Sequence, residues 1–189
     1  MKTWLFNPFK YIAGGKALLL GMGAVLVTAI LSMALTAHLD GVIDLHLGRV
    51  SPSYMYFIEP LVDWLCLLLP LYIFGKSFSV SHVRLVDMAG TSALARFPMF
   101  FAVLVSMLSP HHIGDPNSFI QQLQTDPALI VHLVITGLFL IPFIVWTVAL
   151  LYNAYAVSAH LKGPKATWSF IASLFIGEVL SKILLSYLN

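Results

Sequence analysis

The chain has 189 residues, 59% of them hydrophobic and only 10% charged, with a mean hydropathy of +0.91 and a formal net charge of +2. That composition excludes a soluble globular domain, and the near-neutral charge, with no basic run interleaved with aromatics beyond the first sixteen residues, excludes a nucleic-acid partner. One cysteine, Cys66, leaves neither an internal disulfide nor a cysteine-based metal cluster.

In chain order, residues 4–12 mix aromatic rings with Asn7, Pro8 and Lys10. Amphipathic rings and cationic heads are both satisfied at the headgroup level, so residues 1–16 are expected to lie at the membrane interface. The first apolar run, 17–37, is too long for a signal-peptide core of about 7 to 15 residues. About 20 apolar residues at ~1.5 Å rise cross the ~30 Å hydrocarbon layer, so this run is expected to span it. Further spans follow at 58–74, 88–108, 128–151 and 167–187. Only helices or closed barrels cross lipid with every backbone group satisfied. The expected fold is all-α: a single domain over residues 1–189, a polytopic bundle of five transmembrane helices.

Lys2, Lys10, Lys16, Lys76, Arg84, Lys162 and Lys165 fall on one side of these spans, against Arg49 alone on the other. The positive-inside rule then places the N-terminus in the cytoplasm. In the fifth span Ser169, Ser173, Gly177 and Ser181 recur every four residues, and in the first Ala24, Thr28, Ser32 and Thr36 do the same, with Gly21 on a neighbouring face. Small residues in such stripes let helix backbones approach closely, either within one chain or across a homo-oligomer interface. The expectation is that Gly177 and Ser173 meet the first span at Thr28 or Ser32. Pro70, Pro98 and Pro142 give each middle span a proline that removes a backbone donor.

Ionisable groups inside lipid cost about 2.5 to 3.5 kcal/mol each at a helix centre, so they must be paired or wet. Glu59, Asp63, Arg96, Glu178 and Lys182 form an expected polar seam between the second, third and fifth spans. Depth along the helices levels Arg96 with Glu178 and Asp63 with Lys182. The seam is either a route for protons, ions or polar headgroups, or a network of ion pairs that fixes which helices meet.

Enzyme chemistry finds no support: no G-x-S-x-G elbow, phosphate loop or H-E-x-x-H spacing occurs. The clusters His111, His112, Asp115 and Asp40, Asp44, His46 carry metal-ligating side chains, but ordinary polar connectors account for them, and neither a metal nor a cofactor is expected.

The segment Asn7-Pro8-Phe9-Lys10-Tyr11-Ile12 with Gly14-Gly15-Lys16, and later Ala93-Leu94-Ala95-Arg96-Phe97-Pro98, together with five spans, resembles the Ypt-interacting protein (Yip) domain family in its bacterial branch. The resemblance runs over nearly the whole chain and implies a helical fold in a bacterial cytoplasmic (inner) membrane. Eukaryotic members bind small GTPases through cytoplasmic segments. The long N-terminal region and D-L-Y-G-P motif of those members are absent from this sequence, which argues against a GTPase partner. The functional expectation is a non-enzymatic integral membrane protein that organises membrane lipids, membrane-protein partners or copies of itself. The alternative is a small channel, transporter or lipid-moving protein using the seam.

Overall fold

In a computed structural model of the protein, residues 2–47, 51–108, 121 and 123–188 are described. Helix α1 (Lys2–Phe6) and a 3-10 turn, Pro8–Lys10, lead into α2 (Gly14–Leu35). A two-stranded ladder, β1 (Ala37–His38) with β2 (His46–Leu47), pairs Ala37 with Leu47 and His38 with His46 in antiparallel register. Then come α3 (Met55–Phe78), α4 (Leu85–Ala95), α5 (Met99–Val105) with a closing 3-10 turn, Ser106–Leu108, α6 (Pro127–Ser158) and α7 (Gly163–Leu188). Among the described residues, five helical segments are long and apolar enough to cross a membrane: Gly14–Leu35, Met55–Phe78, Leu85–Leu108, Pro127–Ser158 and Gly163–Leu188. The architecture is an all-α bundle, as its sequence implies.

Local chemistry sets the helix ends. Thr36 closes α2 in the left-handed region at φ 48°, and Asp126 caps α6 by accepting a hydrogen bond from the Ala128 N–H, with Pro127 at the first helical position. The third span breaks between Arg96 and Pro98, because a proline has no N–H to continue the ladder. Pro70 and Pro142, by contrast, lie inside uninterrupted helices. Helix α6 runs well past the expected boundary at residue 151. Its last turns carry Ala154, Tyr155 and Ser158, which are buried against protein, so packing extends the helix where hydropathy no longer does.

Helix α4 is central: 56% of the most apolar stretch of Leu85–Leu108 is buried, against 11% for Pro127–Ser158. It packs chiefly on α2, and also on α6 and α3. Two glycines allow that approach. A Cβ on Gly90 would stand 2.5 Å from the Gly14 carbonyl oxygen and 2.7 Å from the Leu18 nitrogen, and one on Gly21 would run into the backbone of Ala93 and Leu94.

The other tight pair is α3 with α7, and here the expectation is corrected. Ser169, Ser173, Gly177 and Ser181 are all buried, but their stripe faces α3 rather than the first span: a Cβ on Gly177 would lie 3.0 Å from the Leu67 Cα and 3.3 Å from the Cys66 oxygen. On α2, Thr28 and Ser32 are buried while Ala24 and Thr36 are half-buried. The stripe with which α2 meets α4 is the neighbouring one containing Ala17 and Gly21.

The connector after α2 folds back into the bundle. Ala37, Leu39 and Val42 are buried; Ala37 and Leu39 pack with Met99, Ala102 and Val103, and Val42 joins the main core. At the opposite end the N-terminal segment is tied to α6, where Trp146 donates to the Leu5 carbonyl at 2.9 Å and Asn153 to the Phe6 carbonyl at 2.9 Å.

Candidate functional site

Helical spacing puts Glu59 and Asp63 on one face of α3, four residues apart, turned toward the folded-back connector and α4. The Glu59 carboxylate is 2% exposed, and both its oxygens lie 2.9 Å from Nδ1 of the equally buried His38. The His38 ring also stacks at a tilt on Tyr56, with centroids 4.3 Å apart. This pair bolts β1 to the start of α3.

Asp63, with no solvent exposure, accepts from the Ser181 hydroxyl of α7 and pairs with Arg96 Nη2 at 3.4 Å. It is thus the point where α3, α4 and α7 meet. Arg96 caps the C-terminal end of α4 at the break in the third span, and its Nη1 has no hydrogen-bond partner among the described residues.

A second group lies at the same end of the bundle but farther out. Glu178 accepts from the backbone N–H groups of Val42 at 2.8 Å and Ile43 at 3.4 Å, with Gly41 leaving room for its carboxylate. Lys182, one turn on, donates to Asp44 at 2.6 Å and lies 3.7 Å from Glu178. Asp40 pairs with His46 Nδ1 at 2.6 Å. Burial works to raise the Asp44 pKa, but the hydrogen bond from Lys182 and the charges of His46 and Lys182 outweigh it and hold the carboxyl below its ordinary value.

Of the five expected seam residues, Asp63 and Arg96 are therefore in contact, whereas Glu178 and Lys182 serve the connector and Glu59 serves His38. Two expected pairings are corrected: Arg96 meets Asp63 instead of Glu178, and Lys182 meets Asp44 instead of Asp63. Depth alone does not choose the Arg96 partner, since Asp63 and Glu178 both come out within about two turns of it. Adjacency decides between them, because α7 packs chiefly on α3, and Asp63 of α3 touches both Arg96 and Ser181 of α7. Sequence reasoning missed His38 as a partner for Glu59. Its available signal is local: His38 sits among Ala37, Leu39 and Val42, an apolar pattern that suits a buried turn better than a solvated connector.

Toward the opposite end the helices are joined by hydrogen bonds between neutral side chains. Trp64 Nε1 donates to Ser92 at 3.1 Å, Thr91 and Ser158 hydroxyls are 2.8 Å apart, and Tyr155 donates to Ser169 at 2.7 Å. Asp40, Asp44 and His46 could offer metal ligands, with one atom from each lying within 4.8 Å of the others. Lys182 already holds Asp44, and the His46 proton or lone pair is engaged with Asp40. The cluster His111, His112, Asp115 and the lone basic residue Arg49 lie outside the described residues. Comparison with known proteins adds no likeness, since no protein-family model, curated protein or solved structure matches the chain.

Proposed function

We propose that this integral membrane protein is a non-enzymatic organiser, holding membrane lipids, another membrane protein or a second copy of itself, in the manner that resemblance to the bacterial Yip domain branch suggests. The bacterial cytoplasmic membrane is the setting that resemblance implies. The observation that carries the reading is the pairing of the charged groups: Glu59 with His38, Asp63 with Arg96 and Ser181, and Glu178 with two backbone donors. Each group joins two elements of the bundle, so removing it would cost architecture. A conduit, by contrast, needs groups free to change partners and a wet path between them.

The second reading, a small channel, transporter or lipid-moving protein using the seam, is favoured by one feature. Among the described residues, the carboxylates of Asp40, Asp44, Glu59, Asp63 and Glu178 gather at one end, together with Arg96, Lys182, His38 and His46. Purified protein in liposomes with an internal pH dye separates the two. The organiser shows no proton or cation flux above protein-free vesicles; flux abolished by Asp63→Asn would replace it with the conduit. A photoreactive residue at Leu19, on the outward face of α2, tests organisation itself. A discrete protein or lipid adduct in native membranes is expected, and no adduct at any such outward position removes the proposal.

A further inference from the structure

We propose that the bundle holds one internal water molecule at Arg96, bound between the guanidinium and the Thr28 hydroxyl. Arg96 is 3% exposed and Nη2 is taken by Asp63, yet Nη1 has no protein partner among the described residues. Buried donors are almost always satisfied by protein or by ordered water, and the penalty for leaving one unmade is greater when the group is charged. Beside it lies a cavity of ≈10 Å³ lined by Val25, Thr28, Leu39, Pro60, Arg96 and Met99. That is about one water molecule's requirement and too little for a hydrated ion or an organic solute.

A buried water also needs at least two polar partners. Arg96 Nη1 supplies a donor. Thr28 supplies an acceptor, because its own hydroxyl proton is already given to the Ala24 carbonyl at 2.8 Å, leaving the oxygen's remaining lone pair for a donor from the cavity. The walls come from α2, the folded-back connector, α3 and α5, so the water sits where the break in the third span meets the connector. It gives Nη1 an acceptor and partly offsets the desolvation of the ion pair with Asp63. This inference does not depend on which function the protein has.

Met99 is 1% exposed and lines the cavity, which makes it a built-in reporter. X-ray radiolysis generates hydroxyl radicals from bound water in place, so a buried methionine beside a water is oxidised while one in a dry core is not. On the intact protein in nanodiscs, Met99 is expected to be oxidised by a brief X-ray pulse, whereas Met88, with 0% exposure in the main core, is spared. Dissolved hydrogen peroxide should leave Met99 intact while it oxidises exposed Met107. Thr28→Val removes the acceptor without adding bulk, and Val25→Leu fills the cavity; each folded variant should lose the Met99 signal. Protection of Met99 equal to that of Met88 in the unaltered protein overturns the proposal. So does a Met99 signal that survives in both variants, or peroxide reaching Met99 as fast as Met107.

Discussion

At the scale of single residues, the Asp63–Arg96 pair sets the sharpest expectation. Removing one partner of a buried ion pair leaves an uncompensated charge and typically costs about 3 to 5 kcal/mol, while replacing both with apolar groups can cost little. Arg96→Leu should therefore destabilise the protein more than Arg96→Leu combined with Asp63→Leu, as measured by unfolding in detergent. Combining Arg96→Leu with Glu178→Leu should give no such relief, since Glu178 holds the Val42 and Ile43 N–H groups instead. Coupling of Arg96 to Glu178 rather than to Asp63 in that mutant cycle would contradict the observed adjacency. Asp44 carries a pH expectation. Its carboxyl is held below the ordinary value of 3.8, so the stability it adds to the connector is fully present above that value and is lost as pH falls through the lowered one. Amide exchange in residues 37–47 should accelerate in that acid window. The acceleration should be absent in Asp44→Asn, and an unchanged pH profile in that variant would sink the assignment. Because Asp44 and Lys182 are 38% and 46% exposed, the effect will be small.

At the scale of helices, two close approaches hold the bundle, α2 on α4 and α3 on α7, and each depends on positions where a side chain has no room. Gly177→Leu would put a side chain against the Leu67 and Cys66 backbone, and overpacking of this kind costs on the order of 1 to 3 kcal/mol or separates the helices. Leu184→Ile, at an exposed position on the same helix, should be close to neutral. A Tm for Gly177→Leu equal to that of Leu184→Ile would show that α7 does not approach α3 closely. Gly90→Leu should be at least as damaging as Gly177→Leu, because its nearest backbone atoms, the Gly14 oxygen at 2.5 Å and the Leu18 nitrogen at 2.7 Å from an added Cβ, are closer than the Leu67 Cα at 3.0 Å. The break at Arg96 to Pro98 belongs to this scale as well. It frees the end of α4 and lets the Arg96 side chain leave the helix axis toward α3.

For the whole molecule, the distribution of basic residues sets the expected orientation. In a Cys66→Ala background, Ser53→Cys should react with an impermeant reagent added outside cells, and Ser81→Cys should react only after the membrane is opened. Both positions are exposed. The reverse pattern would invert the topology and put the carboxylate-rich end in the cytoplasm. With the expected orientation, the folded-back connector forms an external cap, bolted by His38 to α3 and by Lys182 and Glu178 to α7.

Five spans, their approximate limits and the helical class follow from the sequence alone, because transfer of long apolar runs into lipid outweighs every local preference and requires helices. That these charges need partners was also legible, since a charge within such a run has few acceptable places to go. Which charge meets which was not, because depth along a helix is a one-dimensional coordinate, whereas a contact also needs the two helices to be neighbours and rotated toward each other. Asp63 lies between Arg96 and α7 only because α7 packs on α3. The same holds for the stripes: periodicity identified Gly177 as a point of close approach, but its partner, Leu67 of α3, is an ordinary apolar residue with nothing to distinguish it from many others. Gly90 escaped notice for the converse reason, as a single glycine forms no stripe until the Gly14 carbonyl is seen against it. His38 marks the limit of hydropathy, because Ala37, Leu39 and Val42 can suggest a buried turn but not that Glu59 holds it, a contact that exists only once the bundle has formed.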